Sequence, residues 1–299
     1  MPAQVIQSNT TPFQDVTVDP VTLDIIENAL RNARTEMDAV LFRTAMSPGI
    51  REQHDAFPMI ANHEGKMVVG QFGSFFWGFQ QGYDGTIEEG DVFLTNDPYT
   101  CNGAISHLND WLMMMPIYID GRLVSWAAMF GHMTDIGGKV PGSLPTDAAQ
   151  VFEEGIQVPP VKIIRKGELN KEILELILRN CRLPDWNRSD FNAIVAALRL
   201  AERRVLEMAE RFGVEEFVAA MVEMLDRNKR AMGSILNMVV PETKQHFVDY
   251  IDDDGMGMGP YKVSCAMWRE GEKVFFDFEG TDPQSISSVN FLLNEEMFK

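Results

Sequence analysis

Cysteine is scarce in this 299-residue sequence. Cys101, Cys181 and Cys265 are its three cysteines, far apart and without Cys-x-x-Cys spacing. That excludes a disulfide framework and a cysteine zinc site, and it points to a reducing, cytoplasmic setting. Positive charge is in short supply too: 26 Lys and Arg stand against 44 Asp and Glu, a formal net charge of −18. A field of that sign repels phosphate backbones and anionic lipid, so nucleic acid and membrane drop out as partners. No apolar run approaches the roughly 20 residues that a membrane span needs. The first 20 residues have neither a basic region nor an apolar core, so they read as a polar leader and not as a secretory signal. No Gly-x-Ser-x-Gly nucleophile elbow occurs. The glycine-rich stretch 252–259 has no following Lys-Ser/Thr and no terminal Glu, so it fails as a P-loop and as an EF-hand and reads as an exposed acidic turn. No internal repeat or low-complexity tract is found.

What is present is a globular composition, 45% hydrophobic and 23% charged, in a chain long enough for a sizeable core. Residues 21–45 carry Val21, Ile25, Leu30, Ala33, Met37, Val40 and Leu41 at helical spacing, with Glu27, Arg31, Arg34 and Glu36 on the other face. From about 55 to 135 the pattern turns to strands: 57–61 and 66–70 flank a polar turn, and 91–95 reads as a buried strand. The runs 111–119 and 123–130 join through Asp120-Gly121, a strong hairpin signal, and both are apolar enough to be buried on two faces. Residues 136–160 have no period. A small hairpin around Lys166-Gly167, a helix near 170–182, a long helix from Ser189 to Arg211 capped by Gly213, and another over 214–237 follow. Strands resume at 246–251, 261–267 and 273–279. The expected fold is α+β, with mixed β-sheet regions and buried hairpins packed with long amphipathic helices. The expected organisation is a leader over 1–20, a metal-site α+β region over 21–165, a helical region over 166–240 and a β-rich region over 241–299. The last of these reads as the start of a segment that continues.

The informative segment is 96–138. His107 and Asp110 are three apart, and His132 follows the second strand of the hairpin. A hairpin returns the chain to where it began, so His132 is expected beside the other two. Two imidazoles and a carboxylate with open positions suit zinc, manganese or iron acting as a Lewis acid. Asp97, Asn96 and Asn109 are candidates to orient the imidazoles by hydrogen bonding. Asp135 is a candidate for the same role and for accepting a proton, and His54 is a second candidate base. Spacing alone also fits ordinary polar residues. A second feature is the aromatic stretch Phe72, Phe75, Phe76, Trp77, Phe79 and Tyr83 with interspersed glycines. It is either core, as aromatic clusters mostly are, or the wall of an apolar substrate pocket formed by Phe75, Phe76 and Trp77.

The segments GDVFLTNDPY, SHLND and GRLVSWAAMFGHMTDIGGKVPGS resemble the hydantoinase B family, which includes B subunits of N-methylhydantoinases, part of 5-oxoprolinase and subunits of acetone and acetophenone carboxylases. The resemblance extends upstream through REQHDAFPMIANHEGKMV and downstream to DFEGTD. It implies a divalent metal, zinc or manganese, on the residues matching His107, Asp110 and His132. It also implies hydantoinase A-like partner subunits that bind ATP, together with small accessory subunits, which agrees with the missing nucleotide motif. Two departures stand out. The loop from Asn96-Asp97 to His107 is longer than the usual Asn-Asp-Pro-Tyr-x-Gly-Gly-Thr-His. The family's histidine-containing stretch after the first hairpin is replaced by Ser74-Phe75-Phe76-Trp77-Gly78, a more apolar wall. The resulting expectation is a subunit of an ATP-dependent ketone carboxylase of the acetophenone type, binding the ketone while the complex consumes ATP and bicarbonate. ATP-dependent opening of a hydantoin or oxoproline ring is the rival, and a metal-free scaffold subunit is the non-enzyme rival.

Overall fold

A computed structural model describes residues 13–14, 16–71 and 75–290. Phe72 and Ser74, residues 1–12 of the leader and the tail 291–299 lie outside the described residues. The chain divides into two compact units.

The larger unit runs up to Leu144 and takes in Glu154–Glu223. Helix α1 (Pro20–Thr44) starts where Asp19 caps the amides of Val21 and Thr22 and proline occupies the first turn. It buries Leu23, Ile26, Leu30, Ala33, Met37 and Leu41. The short helix α2 (Pro48–Arg51) leads into the strands β1 (Ala56–Asn62) and β2 (Met67–Val69). Then come helix α3 (Phe75–Gly82), strand β3 (Val92–Thr95) and the long hairpin of β4 (Asp110–Ile119) and β5 (Arg122–His132). At its turn Asp120 and Gly121 both have positive φ, 51° and 73°, which matches the twist of the strands they join. Strands β6 (Val161–Arg165) and β7 (Glu168–Leu169) complete a seven-stranded sheet in the order β2-β1-β5-β4-β3-β6-β7, antiparallel throughout.

The hairpin is buried on both faces, as its unbroken apolar sequence requires. On one face Gly131 lies under Ile50 of α2 and Ile194 of helix α5 (Pro184–Phe212). The other face carries Leu112, Met114, Trp126, Ala128 and Phe130, packed with Met59 of β1 and with Phe75, Phe76 and Phe79 of α3. Helix α4 (Lys171–Arg179) precedes α5, and α6 (Val214–Val239) follows it.

One sequence expectation needs correcting. The long helix begins at Pro184, five residues before Ser189, because proline at the first helical position is already set at the helical φ. Ser189 is therefore not the N-cap. Helix α5 packs along α1 and against β4 and β5 within the larger unit.

The smaller unit comprises Pro145–Glu153 and Met224–Phe291. Its sheet is built from β8 (Gln245–Ile251), β9 (Tyr261–Glu270) and β10 (Lys273–Asp277) in the order β10-β9-β8. The glycine-rich turn before β9 is organised around Asp254. Its carboxylate accepts the amides of Met256 and Met258 and the hydroxyls of Tyr261 and Ser285.

Candidate metal centre

Register places the site. Asp110 opens β4 directly opposite His132, which closes β5. His107 sits one turn before β4, its carbonyl accepting the Asp110 amide at 3.4 Å. His107 Nε2, His132 Nδ1 and Asp110 Oδ1 form a triangle with edges of 3.1, 3.1 and 3.2 Å. A tetrahedral ion with bonds of about 2.0 Å separates its ligand atoms by about 3.3 Å, so the donor set and its spacing fit a divalent metal. Pairwise hydrogen bonding does not require all three atoms to converge on one point. His107 Nδ1 lies 3.0 Å from Ser106 Oγ, a contact that leaves Nε2 for the centre.

The surroundings are acidic. Burial opposes protonation of His107, but its hydrogen bond to Asp110 and the charges of Asp110, Asp55 and Glu154 outweigh it and raise its pKa above the ordinary value. Burial would raise Asp110, yet its bonds to His107 and His132 hold it below the usual carboxylate range. Sequence reasoning missed two nearby carboxylates. Asp55, immediately before β1, has its Oδ2 3.6 Å from His132 Nδ1, and its carbonyl accepts the His132 amide at 3.1 Å. Glu154 is pushed up by burial and drawn partly back by the charge of His107. The pairing of β1 with β5 could have exposed Asp55, but sequence gives no sign of which strand flanks the hairpin.

The residues expected to orient the imidazoles organise the loops instead. Asn96 donates to the carbonyls of Leu108, at 2.6 Å, and Ile156, at 2.9 Å, while its Oδ1 accepts the Val158 amide. Asp97 accepts the amides of Tyr99 and Thr100, the Thr100 hydroxyl and the Gln157 side-chain amide. Asn109 reaches the Met133 carbonyl. These bonds anchor the long loop that carries His107 and the exit from His132.

The two residues expected to handle protons are also engaged elsewhere. Asp135 accepts the amides of Gly137, Gly142 and Arg182 and pairs with the Arg182 guanidinium at 3.1 Å. Burial alone would raise its pKa, and these bonds hold it low. His54 stacks on Phe42 with ring centroids 4.0 Å apart. In the expected substrate wall, Phe75 and Phe76 are buried in the core, Phe76 against Trp126, and Trp77 is half-buried.

The hydantoinase B/oxoprolinase family model matches residues 19–297. The chain belongs to the hydantoinase B/oxoprolinase family. Caprolactamase subunit beta of Pseudomonas jessenii is 32% identical over 86% of this chain and 45% of its own length. The crystal structure of the ATP-dependent caprolactamase from that organism superposes with a TM-score of 0.79 at 29% identity, covering 91% of this chain and 48% of that one. The acetophenone carboxylase delta subunit of Aromatoleum aromaticum is 26% identical over 79% of this chain and 36% of its own length. A nucleotide-free acetone carboxylase structure shares the fold, with a TM-score of 0.80 at 18% identity over 88% of this chain and 37% of that one. The chain thus spans about half the length, or less, of these relatives. Family membership and the mixed α/β fold agree with the sequence resemblance.

Proposed function

We propose that His107, Asp110 and His132 hold a divalent cation, zinc or manganese, in an ATP-dependent multi-subunit enzyme that acts on a carbonyl compound. The observation that carries this reading is the triangle of donor atoms with 3.1–3.2 Å edges at the end of the β4–β5 hairpin. When bound, the ion supplies Lewis-acid polarisation of a carbonyl oxygen. The chain's own groups do the rest. The two imidazoles and Asp110 orient the carbonyl, and Asp55 and Glu154 are the carboxylates placed to accept and return a proton. This moves the proton-handling role away from Asp135 and His54. ATP is bound by a hydantoinase A-like partner, alongside small accessory subunits.

Opening of a cyclic amide is the first reading of the reaction, supported by the 32% identity to a caprolactamase subunit. Carboxylation of a ketone with bicarbonate is the second, supported by the similarity to the acetophenone carboxylase delta subunit. The apolar wall that favoured an aromatic ketone loses weight, because Phe75 and Phe76 are core residues.

The test is elemental analysis of the purified full chain beside His132→Ala. One equivalent of a transition metal in the parent and near none in the variant, with unchanged circular dichroism, is the expected result. Equal metal in both would mean that the ligands are misassigned, and absence from both would leave a scaffold subunit. Turnover of lactams against ketones plus bicarbonate, in the assembled complex with ATP, separates the two reactions.

A further inference from the structure

Asp190 of α5 is a carboxylate with no exposed surface, and the chemistry proposed above does not call on it. A buried carboxylate is costly unless donors surround it, so the groups it binds show what it holds in place. Its Oδ1 accepts the Met46 amide at 2.5 Å, and its Oδ2 accepts the Ser47 amide at 3.2 Å and the Ser47 hydroxyl. These donors stand at the entrance to α2, where Ser47 is the N-cap. With its proton given to Asp190, the Ser47 hydroxyl oxygen accepts the Thr134 amide at 3.2 Å, two residues past His132. The body of α2 reaches the metal centre as well. A Cβ built on Gly49 would lie 3.6 Å from Cδ2 of the His132 ring and 3.5 Å from the His132 carbonyl oxygen, so the helix backbone backs the ring. Cδ2 is the edge away from Nδ1, the atom that meets His107 and Asp110. The Gly49 carbonyl accepts the Asp55 amide at 2.9 Å, and the Asp55 carbonyl accepts the His132 amide.

We propose that Asp190 is a positioning residue for the metal centre: through Ser47 it seats α2 behind His132, which keeps Nδ1 at the ligand point and Asp55 beside it. The inference rests on the metal reading above. A helix of four residues closes too few internal hydrogen bonds to hold itself, so its place is set by what anchors its first turn. Asp190 supplies that anchor from a long helix packed on the hairpin, and the Ser47 hydroxyl ties it to the exit from His132.

The experiment titrates the full chain with cobalt(II), which occupies zinc sites and reports their coordination geometry in its visible absorption. Parent, Asp190→Asn and Ser47→Ala are compared, each checked for folding by circular dichroism. Asn keeps the shape of Asp190 but turns one acceptor oxygen into a donor, and Ala deletes the hydroxyl bridge. Both variants are expected to bind cobalt about tenfold or more weakly than the parent, as when the support behind a ligand histidine is removed. Their visible bands should change in position and intensity. Ser47→Thr, which keeps the hydroxyl, should retain most of the parent's affinity and spectrum. A lower urea midpoint with unchanged cobalt affinity and spectrum would make Asp190 a residue of stability alone and overturn the proposal. If Asp190→Asn does not fold, Ser47→Ala decides by the same two readouts. Failure of the parent protein to bind cobalt would overturn the metal reading, and the positioning role with it.

Discussion

At the scale of single residues, one carboxylate shows how environment sets charge. Asp254 is buried, which by itself would favour its neutral form, yet two amides and two hydroxyls point at it and bring its pKa down from 3.8 to about 2. A carboxyl whose folded pKa lies below its unfolded one stabilises the fold above the unfolded value and loses that contribution as pH falls through the folded one. The turn at residues 254–258 and the adjoining β9 should therefore hold their amide protons at pH 5 and lose protection between about pH 4 and pH 2. Asp254→Asn should show the weaker protection already at neutral pH. Hydrogen exchange resolved on β8 and β9 measures both. The glycine-rich composition of this turn was plain in the sequence. Its acceptor was not, because Ser285 and Tyr261 come from separate parts of the chain.

Elements carry the next lesson, and α3 is the clearest case. The sequence showed aromatic residues with glycines between them and left open whether they formed core or pocket. In the structure the aromatics pack into the sheet face, while Gly78 and Gly82, one turn apart, let the backbone at Cys101 and Thr100 lie directly on the helix. A Cβ at Gly78 would overlap the Cys101 carbonyl and the Ala104 side chain. Gly78→Ala should therefore destabilise the larger unit by about 1–3 kcal/mol, read as a lower urea midpoint at constant slope. Since the 97–106 loop leads to His107, the same variant should also weaken metal retention, measured by dialysis against a chelator. The helix α5 shows the complementary case. Its apolar face was legible, but its start was not, because Ser189 as a capping residue competed with a proline whose preference proved stronger. Asp190, beside it, is fully buried and accepts the amides of Met46 and Ser47, a tertiary contact invisible to local pattern.

At the scale of the whole molecule, the proposed function assigns ATP to a partner subunit, and this can be tested on the chain alone. The chain on its own is expected to show no saturable ATP binding at micromolar concentration by calorimetry, and nucleotide should bind only when a partner subunit is added. Tight binding by the chain alone would remove the reason for placing ATP on a partner. Among the described residues no helix is long and apolar enough to cross a membrane. The sequence by itself determined most of the elements, the buried hairpin and the nearness of His132 to Asp110, because an Asp-Gly turn folds the chain back locally; their direct opposition depends on the one-residue register shift between Ile117 and Tyr118. Only the tertiary structure decided which groups surround that pair. Asp55 reaches it because β1 pairs with β5, some 70 residues away, and Glu154 reaches it from a loop without any period. Asp135 and Asn109, which are close in sequence, were instead drawn into loop hydrogen bonds. Proximity along the chain could suggest them as site residues, but buried polar groups take the partners that packing provides.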